Sequence, residues 1–217
     1  MSAVIERAKP SDRWEMLDFA NLVFSQAAVP HDFKALLPKM YADGVPFEND
    51  HYVAREDGRI MGLVSALPFE MRSGGRALKV AYVGTVSVHL YRRGSGYMKA
   101  CMKLMHEDME ARGAQIFVLG GLRQRYGYYG YSSGLPGIRH TVTPTNAQKA
   151  LAGLDASSIR FEELNEVPGE ALRLHGMQPV YCTRERYLDW MHSWKRKYYR
   201  AAEGDRTLGF VTEGLND

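Results

Sequence analysis

The stretch "VSVHLYRRGSGYMKACMKLM" runs from Val86 to Met105. Val86–Ser87–Val88 alternates like the end of a strand, and Tyr97–Met105 reads as the opening turns of a helix. Between them lie Arg92, Arg93, Gly94, Ser95 and Gly96, where a short plain loop would connect the elements. Glycines allow backbone N–H groups to approach a ligand, a helix N-terminus adds partial positive charge, and an arginine adds a full one. The stretch therefore reads as an anion cradle that a pyrophosphate would fit, with Arg92 or Arg93 as the cation. Two better-known phosphate loops are excluded. A dinucleotide fingerprint needs glycine where Lys99 stands, and a P-loop needs Gly-Lys followed by Ser or Thr after four spacers.

Working outward, the helix from Tyr97 to Arg112 carries Met98, Cys101, Met102, Met105 and Met109 on one face, and Gly113 closes it. "AQIFVLGG" after it is a buried strand. Upstream, "HYVAREDGRIMGLVSALPFEM" predicts a hairpin about Asp57–Gly58, and Ser73–Gly74–Gly75 turns into the strand "ALKVAYVGTVSV". "AVIERA" is a short first strand. Pro10, Ser11 and Asp12 then start a helix whose apolar stripe is Trp14, Leu17, Ala20, Leu22 and Val23. "HDFKALLPKMYAD" is a weaker helix interrupted by Pro38. Antiparallel strands followed by a strand–turn–helix–strand unit imply an α/β (α+β layered) fold, a mixed, mostly antiparallel sheet flanked by helices.

The chain of 217 residues is 45% hydrophobic and 24% charged, with a formal net charge of +3. That composition supports a real core and excludes a membrane span. The charge suits a small anionic ligand and is too small to argue for nucleic acid. "RQRYGYYGY" is basic and aromatic, but it lacks the strand pattern of a single-strand-binding sheet. Cys101 and Cys182 stand far apart with no Cys/His partner pattern, so no metal site is expected. The charged N-terminus has no apolar export segment, and a soluble cytoplasmic protein is expected.

An internal echo is present as well. "YVAREDGRIMGLV" (Tyr52–Val64) and "YRAAEGDRTLGFV" (Tyr199–Val211) coincide without a gap at six of thirteen positions. Two hairpins with polar turns would look alike in any case; otherwise a second copy of the fold begins near residue 160.

The stretch "VSVHLYRRGSGYMK" resembles the acetyl-CoA loop of the GNAT N-acetyltransferase superfamily, Gln/Arg-x-x-Gly-x-Gly/Ala after a Val-x-Val strand. Arg93 and Gly96 match, and Met98 stands where glycine or alanine is usual. The bulky residue there, and "YGYYGY" from Tyr126 to Tyr131, are similar to the Eis (enhanced intracellular survival) acetyltransferases. The resemblance implies a GNAT domain over residues 1–145, followed over 146–217 by a linker and the start of a second, incomplete GNAT-like domain. In that group a second and a third domain follow. It further implies acetyl-CoA as cosubstrate. Its pantetheine arm would pair with the backbone of Val86, Ser87 and Val88, and its pyrophosphate would sit on the amides of Arg93, Gly94, Ser95, Gly96, Tyr97 and Met98.

Direct acyl transfer to an amine needs an oxyanion donor, for which backbone N–H groups near Val86–Val88 serve, and protonation of the leaving thiolate. A phenol of pKa about 10 can give its proton to a thiolate whose acid has a pKa near 8.5. Tyr126 holds that place by analogy, with three neighbouring tyrosine hydroxyls as competitors. Glu70 and His89 are candidate bases acting through a water. The expected activity is acetyl transfer to a small-molecule or peptide primary amine. The alternative is a non-catalytic module that binds acyl-CoA. An unfinished second repeat would leave apolar surface for another copy of the chain to cover, so a homo-oligomer is open.

Overall fold

The computed structural model describes residues 3–26, 29–134, 141–165, 168–183 and 196–214. These fall into two compact units. One is drawn from Met1–Gly120, Glu166–Arg196 and Gly214–Asp217, the other from Gly121–Asn165 and Lys197–Glu213.

The first unit is built on a sheet of β1 (Val4–Arg7), β2 (His51–Glu56), β3 (Arg59–Ser73), β4 (Arg76–Val88) and β5 (Ile116–Leu119), paired in that order. β1 to β4 are antiparallel neighbours, and β5 runs parallel to β4. A further strand, β7 (Val180–Cys182), pairs with the far end of β3 at Met71–Ser73. The turns follow the residue types. Asp57 and Gly58 both take positive φ, as do Gly74 and Gly75, the backbone required by a two-residue turn that matches strand twist.

Helix α1 (Arg13–Ser25) and the short α2 (Phe33–Leu36) and α3 (Pro38–Tyr41) cover one face. Met16, Leu17, Phe19, Ala20 and Val23 of α1 pack with Phe33, Tyr41, Val53 and Leu63 in one core. Two residues of the expected stripe fall outside it. Trp14 is 59% and Leu22 47% exposed; the inward arc is 16, 17, 20 and 23, and Trp14 lies instead under the guanidinium of Arg13 and the ammonium of Lys34. Pro38 does break the weak helix, with Leu37 between its halves.

Helix α4 (Tyr97–Ala111) packs on the opposite face, where Cys101, Met102, Met105 and Met109 are fully buried. Each of the three methionines contributes roughly 1.5–3 kcal/mol of burial energy. Strands β2 and β3 are thus covered on both sides, so the burial runs continuously from His51 to Ala54 and from Gly62 to Leu67. Tyr52 ties the layers by donating to Asp108 of α4 at 2.5 Å.

The second unit holds α5 (Arg123–Tyr126), α6 (Pro144–Ala150) and a three-stranded sheet in which β8 (Arg196–Glu203) lies between β6 (Ile159–Leu164) and β9 (Arg206–Gly214). Helix α7 (Gly169–Gly176) belongs to the first unit. The echo of Tyr52–Val64 is therefore a hairpin in both places, with the two-residue turns Asp57–Gly58 and Gly204–Asp205 at matching positions. Strand β6 lies antiparallel to β8 as β1 does to β2.

Candidate functional site

Strand β4 outlasts its parallel neighbour. The β4–β5 ladder runs from Val80↔Ile116 to Val83↔Leu119 and stops. From Gly84 to Val88, β4 has β3 on one edge and, among the described residues, no strand on the other. An edge of this kind offers unpaired N–H and C=O groups to an extended ligand.

The free edge starts at an irregularity. Ser65 pairs with Gly84 and Leu63 with Ser87, so three steps on β4 answer two on β3, which is a β-bulge. Thr85 within it has φ +49. A left-handed backbone is unfavourable for a β-branched residue, by roughly 1–3 kcal/mol, and has to be held by its surroundings. Tyr41 Oη lies 2.7 Å and Ser65 Oγ 3.3 Å from Thr85 Oγ1, and Ser87 Oγ donates to the Thr85 carbonyl at 3.2 Å.

After Val88 the chain turns through the Arg-Arg-Gly-Ser-Gly loop. The His89 amide donates to Met61 C=O at 2.9 Å, Arg92 N–H to His89 C=O at 2.8 Å and Ser95 N–H to Arg92 C=O at 3.2 Å. The Ser95 amide is thus occupied by the turn itself. Gly94 and Gly96 have φ +85 and +82, and neither has an atom within 4 Å of where a Cβ would stand, so the loop is open toward solvent. Tyr97 and Met98 open α4, and first-turn amides have no partner within their helix. Met98 is half-buried, leaving its backbone at the cradle while its side chain joins the helix's inward face.

The two arginines separate. Arg92 Nε lies 2.5 Å from Glu56 Oε2, at the end of β2, and Tyr97 Oη donates to the same oxygen at 3.1 Å. The Arg92 guanidinium and the Tyr97 hydroxyl hold the Glu56 carboxyl below the usual carboxylate range. Arg93 is exposed and has no ion pair among the described residues, so it is the cation available to an anion at the loop. Gly62 makes the junction possible. A Cβ there would lie 3.1 Å from Tyr97 Cβ and 3.2 Å from Ala54 Cβ, so glycine lets the first turn of α4 rest on β3. Sequence reasoning missed Glu56, Gly62, Gly84 and Thr85. The two glycines inside strand patterns were the available signal, because such glycines mark bulges or close backbone approach.

The candidate bases have other partners. Glu70 accepts from Arg72 and from the Thr183 hydroxyl, both at 3.1 Å, and stands five residues along β3 from Ser65, roughly 16 Å at strand rise. His89 Nδ1 accepts from the Tyr91 amide at 3.4 Å and caps its own turn. In the second unit, Tyr126 ends α5 and is 8% exposed, while Tyr128 is 71% exposed. The Tyr131 ring packs edge-on to Tyr126 at 6.2 Å; burial, and then the Tyr126 phenol, raise the Tyr131 pKa. No cluster of three or more His, Cys, Asp or Glu side chains suited to a metal occurs among the described residues, and no described helix is long and apolar enough to cross a membrane.

Residues 4–134 match the acetyltransferase (GNAT) domain model, more than half of the chain, and the chain belongs to that family. No curated protein matches it. Among solved structures it is similar to a conserved protein of unknown function from Enterococcus faecalis, with a TM-score of 0.70 and 14% identity over 100% of this chain and 56% of that one. It is also similar to a GCN5-related N-acetyltransferase from Anabaena variabilis, with a TM-score of 0.66 and 13% identity over 97% of this chain and 54% of that one. A GNAT family acetyltransferase from Brucella melitensis in complex with acetyl-CoA gives a TM-score of 0.51 and 22% identity over 61% of this chain and 84% of that one. At these identities the likeness concerns the fold, and the chain spans a little over half the length of the first two proteins.

Proposed function

We propose that this chain carries an N-acetyltransferase that moves acetyl from acetyl-CoA to a primary amine. One observation carries the reading: the edge Gly84–Val88, which has no strand beyond it among the described residues, leads through a short turn into an open glycine loop and a helix N-terminus beside Arg93, which has no ion pair among the described residues. An extended amide-bearing arm joined to a pyrophosphate matches that order of groups. Val86, Ser87 and Val88 would receive the arm, and Arg93, Gly94, Gly96, Tyr97 and Met98 the pyrophosphate; Ser95 would contribute its hydroxyl, its amide being committed to the turn. Acetyl-CoA supplies the thioester that the neutral amine attacks. Tyr126 is the proposed general acid, supported by its burial and by the likeness of "YGYYGY" to the Eis group. The acceptor is proposed to be a small molecule or peptide in the cytoplasm, with no part for nucleic acid or membrane.

A panel of amines tested with acetyl-CoA checks this. Turnover is expected, and Tyr126→Phe is expected to lower kcat by about 10²–10⁴ with little change in the KM for acetyl-CoA. The structural engagement of Glu70 and His89 favours a second reading, a module that binds acyl-CoA without turnover. Binding with no turnover on any amine would select it. The half-exposed Leu208 and Val211 and the exposed Phe161 of the small sheet support a homo-oligomer, to be read from the concentration dependence of sedimentation.

A further inference from the structure

The bulge at Thr85 connects to a buried polar chain in the core. His51, Tyr41 and Ser65 are 0%, 2% and 1% exposed. His51 Nδ1 is 2.8 Å from the Phe47 carbonyl, which can only accept, so Nδ1 carries the ring proton. Burial pushes the imidazole pKa down to about 4, so the ring is neutral near pH 7 and Nε2 is a bare acceptor. Tyr41 Oη, 3.2 Å from that nitrogen, then donates to it. Burial pushes the Tyr41 pKa up to about 12, so that proton stays on the phenol. With its one proton committed, the Tyr41 oxygen accepts from Thr85 Oγ1, which accepts in turn from Ser65 Oγ. Every proton has one allowed direction: Ser65 to Thr85, Thr85 to Tyr41, Tyr41 to His51, His51 to the Phe47 carbonyl.

These hydrogen bonds pass through Thr85, a residue in a conformation it would not choose. Without the anchor, the bulge can relax, and a one-residue slip would turn Val86, Ser87 and Val88 to the opposite faces of the strand. Thr85 also lies at the end of the free edge remote from the glycine loop. An arm whose pyrophosphate rests on the loop would bring its reactive end there.

We propose that Tyr41 is a positioning residue, which, through Thr85, fixes the bulge and thereby the backbone groups that meet the acyl end of the cosubstrate. This rests on the acyl-CoA reading of the β4 edge. It assigns discrimination between acetyl-CoA and CoA to a core residue of α3, on the face of the sheet that α1 covers.

The test is calorimetric binding of acetyl-CoA and of CoA to the full chain and to Tyr41→Phe. The phenyl ring keeps its edge contacts with Phe33 and Phe47, at 5.6 and 4.8 Å, and only the hydroxyl is lost. Acetyl-CoA binding is expected to weaken by about tenfold, the loss of one well-placed hydrogen bond, with CoA binding changed by less than about twofold. Adding Thr85→Gly to Tyr41→Phe is expected to restore the ratio, because glycine takes positive φ without an anchor. A purely structural role would weaken both ligands alike and would not be rescued. Should Tyr41→Phe fail to fold, Thr85→Val, which removes the same hydrogen bond from the surface side, carries the same expectation. Wild-type binding with an unchanged ratio in these variants overturns the proposal alone. Wild-type protein that binds neither ligand overturns the acyl-CoA reading, and the proposal with it.

Discussion

The hairpins Tyr52–Val64 and Tyr199–Val211 share a sequence pattern and a turn position, and they differ in what covers them. In the first, Tyr52, Val53, Ala54 and Val64 are 0% exposed, pressed between α1 and α4. In the second, Ala202 is buried, but Leu208 and Val211 remain 42% and 48% exposed. The turns differ too. Asp57 and Gly58 both have positive φ, whereas in the second pair only Gly204 does, at +57, the type that needs glycine at its first position alone. A hairpin pattern therefore specifies a hairpin, and the layers packed on it decide whether it becomes a core.

Removing a layer should break the contrast most strongly. Met102→Ala on α4 is expected to cost about 2–5 kcal/mol, seen as lost hydrogen-exchange protection across β2 and β3. Leu208→Ala should cost under about 1 kcal/mol and leave those strands unchanged. Next comes pH. His51 has a folded pKa depressed to about 4 from 6.5, so the unfolded chain binds the proton first as pH falls. Its contribution is complete above about pH 6.5 and declines toward pH 4, by roughly 1.4 kcal/mol per unit titrated. The second hairpin has Tyr198 at the corresponding place. Acid should therefore loosen β2 and β3 in this window without a matching step in β8 and β9. A smaller effect on the core hairpin is expected from the turns, where Gly58→Ala and Gly204→Ala each place a side chain at positive φ, at about 1–2 kcal/mol. The first should lower protection of the core hairpin, and the second only that of its own strands. Equal exchange behaviour in both hairpins under all these changes would dissolve the distinction.

Much of this was legible because it is local. Asp57–Gly58, Gly74–Gly75, the methionine face of α4 and the glycine loop are each set by residues close in sequence. The rest depends on encounters across the chain. The break between Val83 and Gly84 becomes visible only when β5 stops at Leu119. Tyr41 reaches Thr85 across 44 positions, and Arg92 reaches Glu56 across 36, so nothing near the loop tells the two arginines apart. Trp14 and Leu22 fit the helical period as well as Met16 and Phe19 do, and only the placement of the sheet selects among them.

Thermal unfolding with and without acetyl-CoA, with NAD as the control pyrophosphate, is the first experiment to make. If the Gly84–Val88 edge and the Arg93 loop together hold acyl-CoA, ligand at a hundred times its Kd adds about 2.7 kcal/mol. The midpoint should then rise with acetyl-CoA, stay in place with NAD, and rise less in Arg93→Ala. An unmoved midpoint, or an equal rise with NAD, would mean that the open edge and the glycine loop do not form an acyl-CoA site.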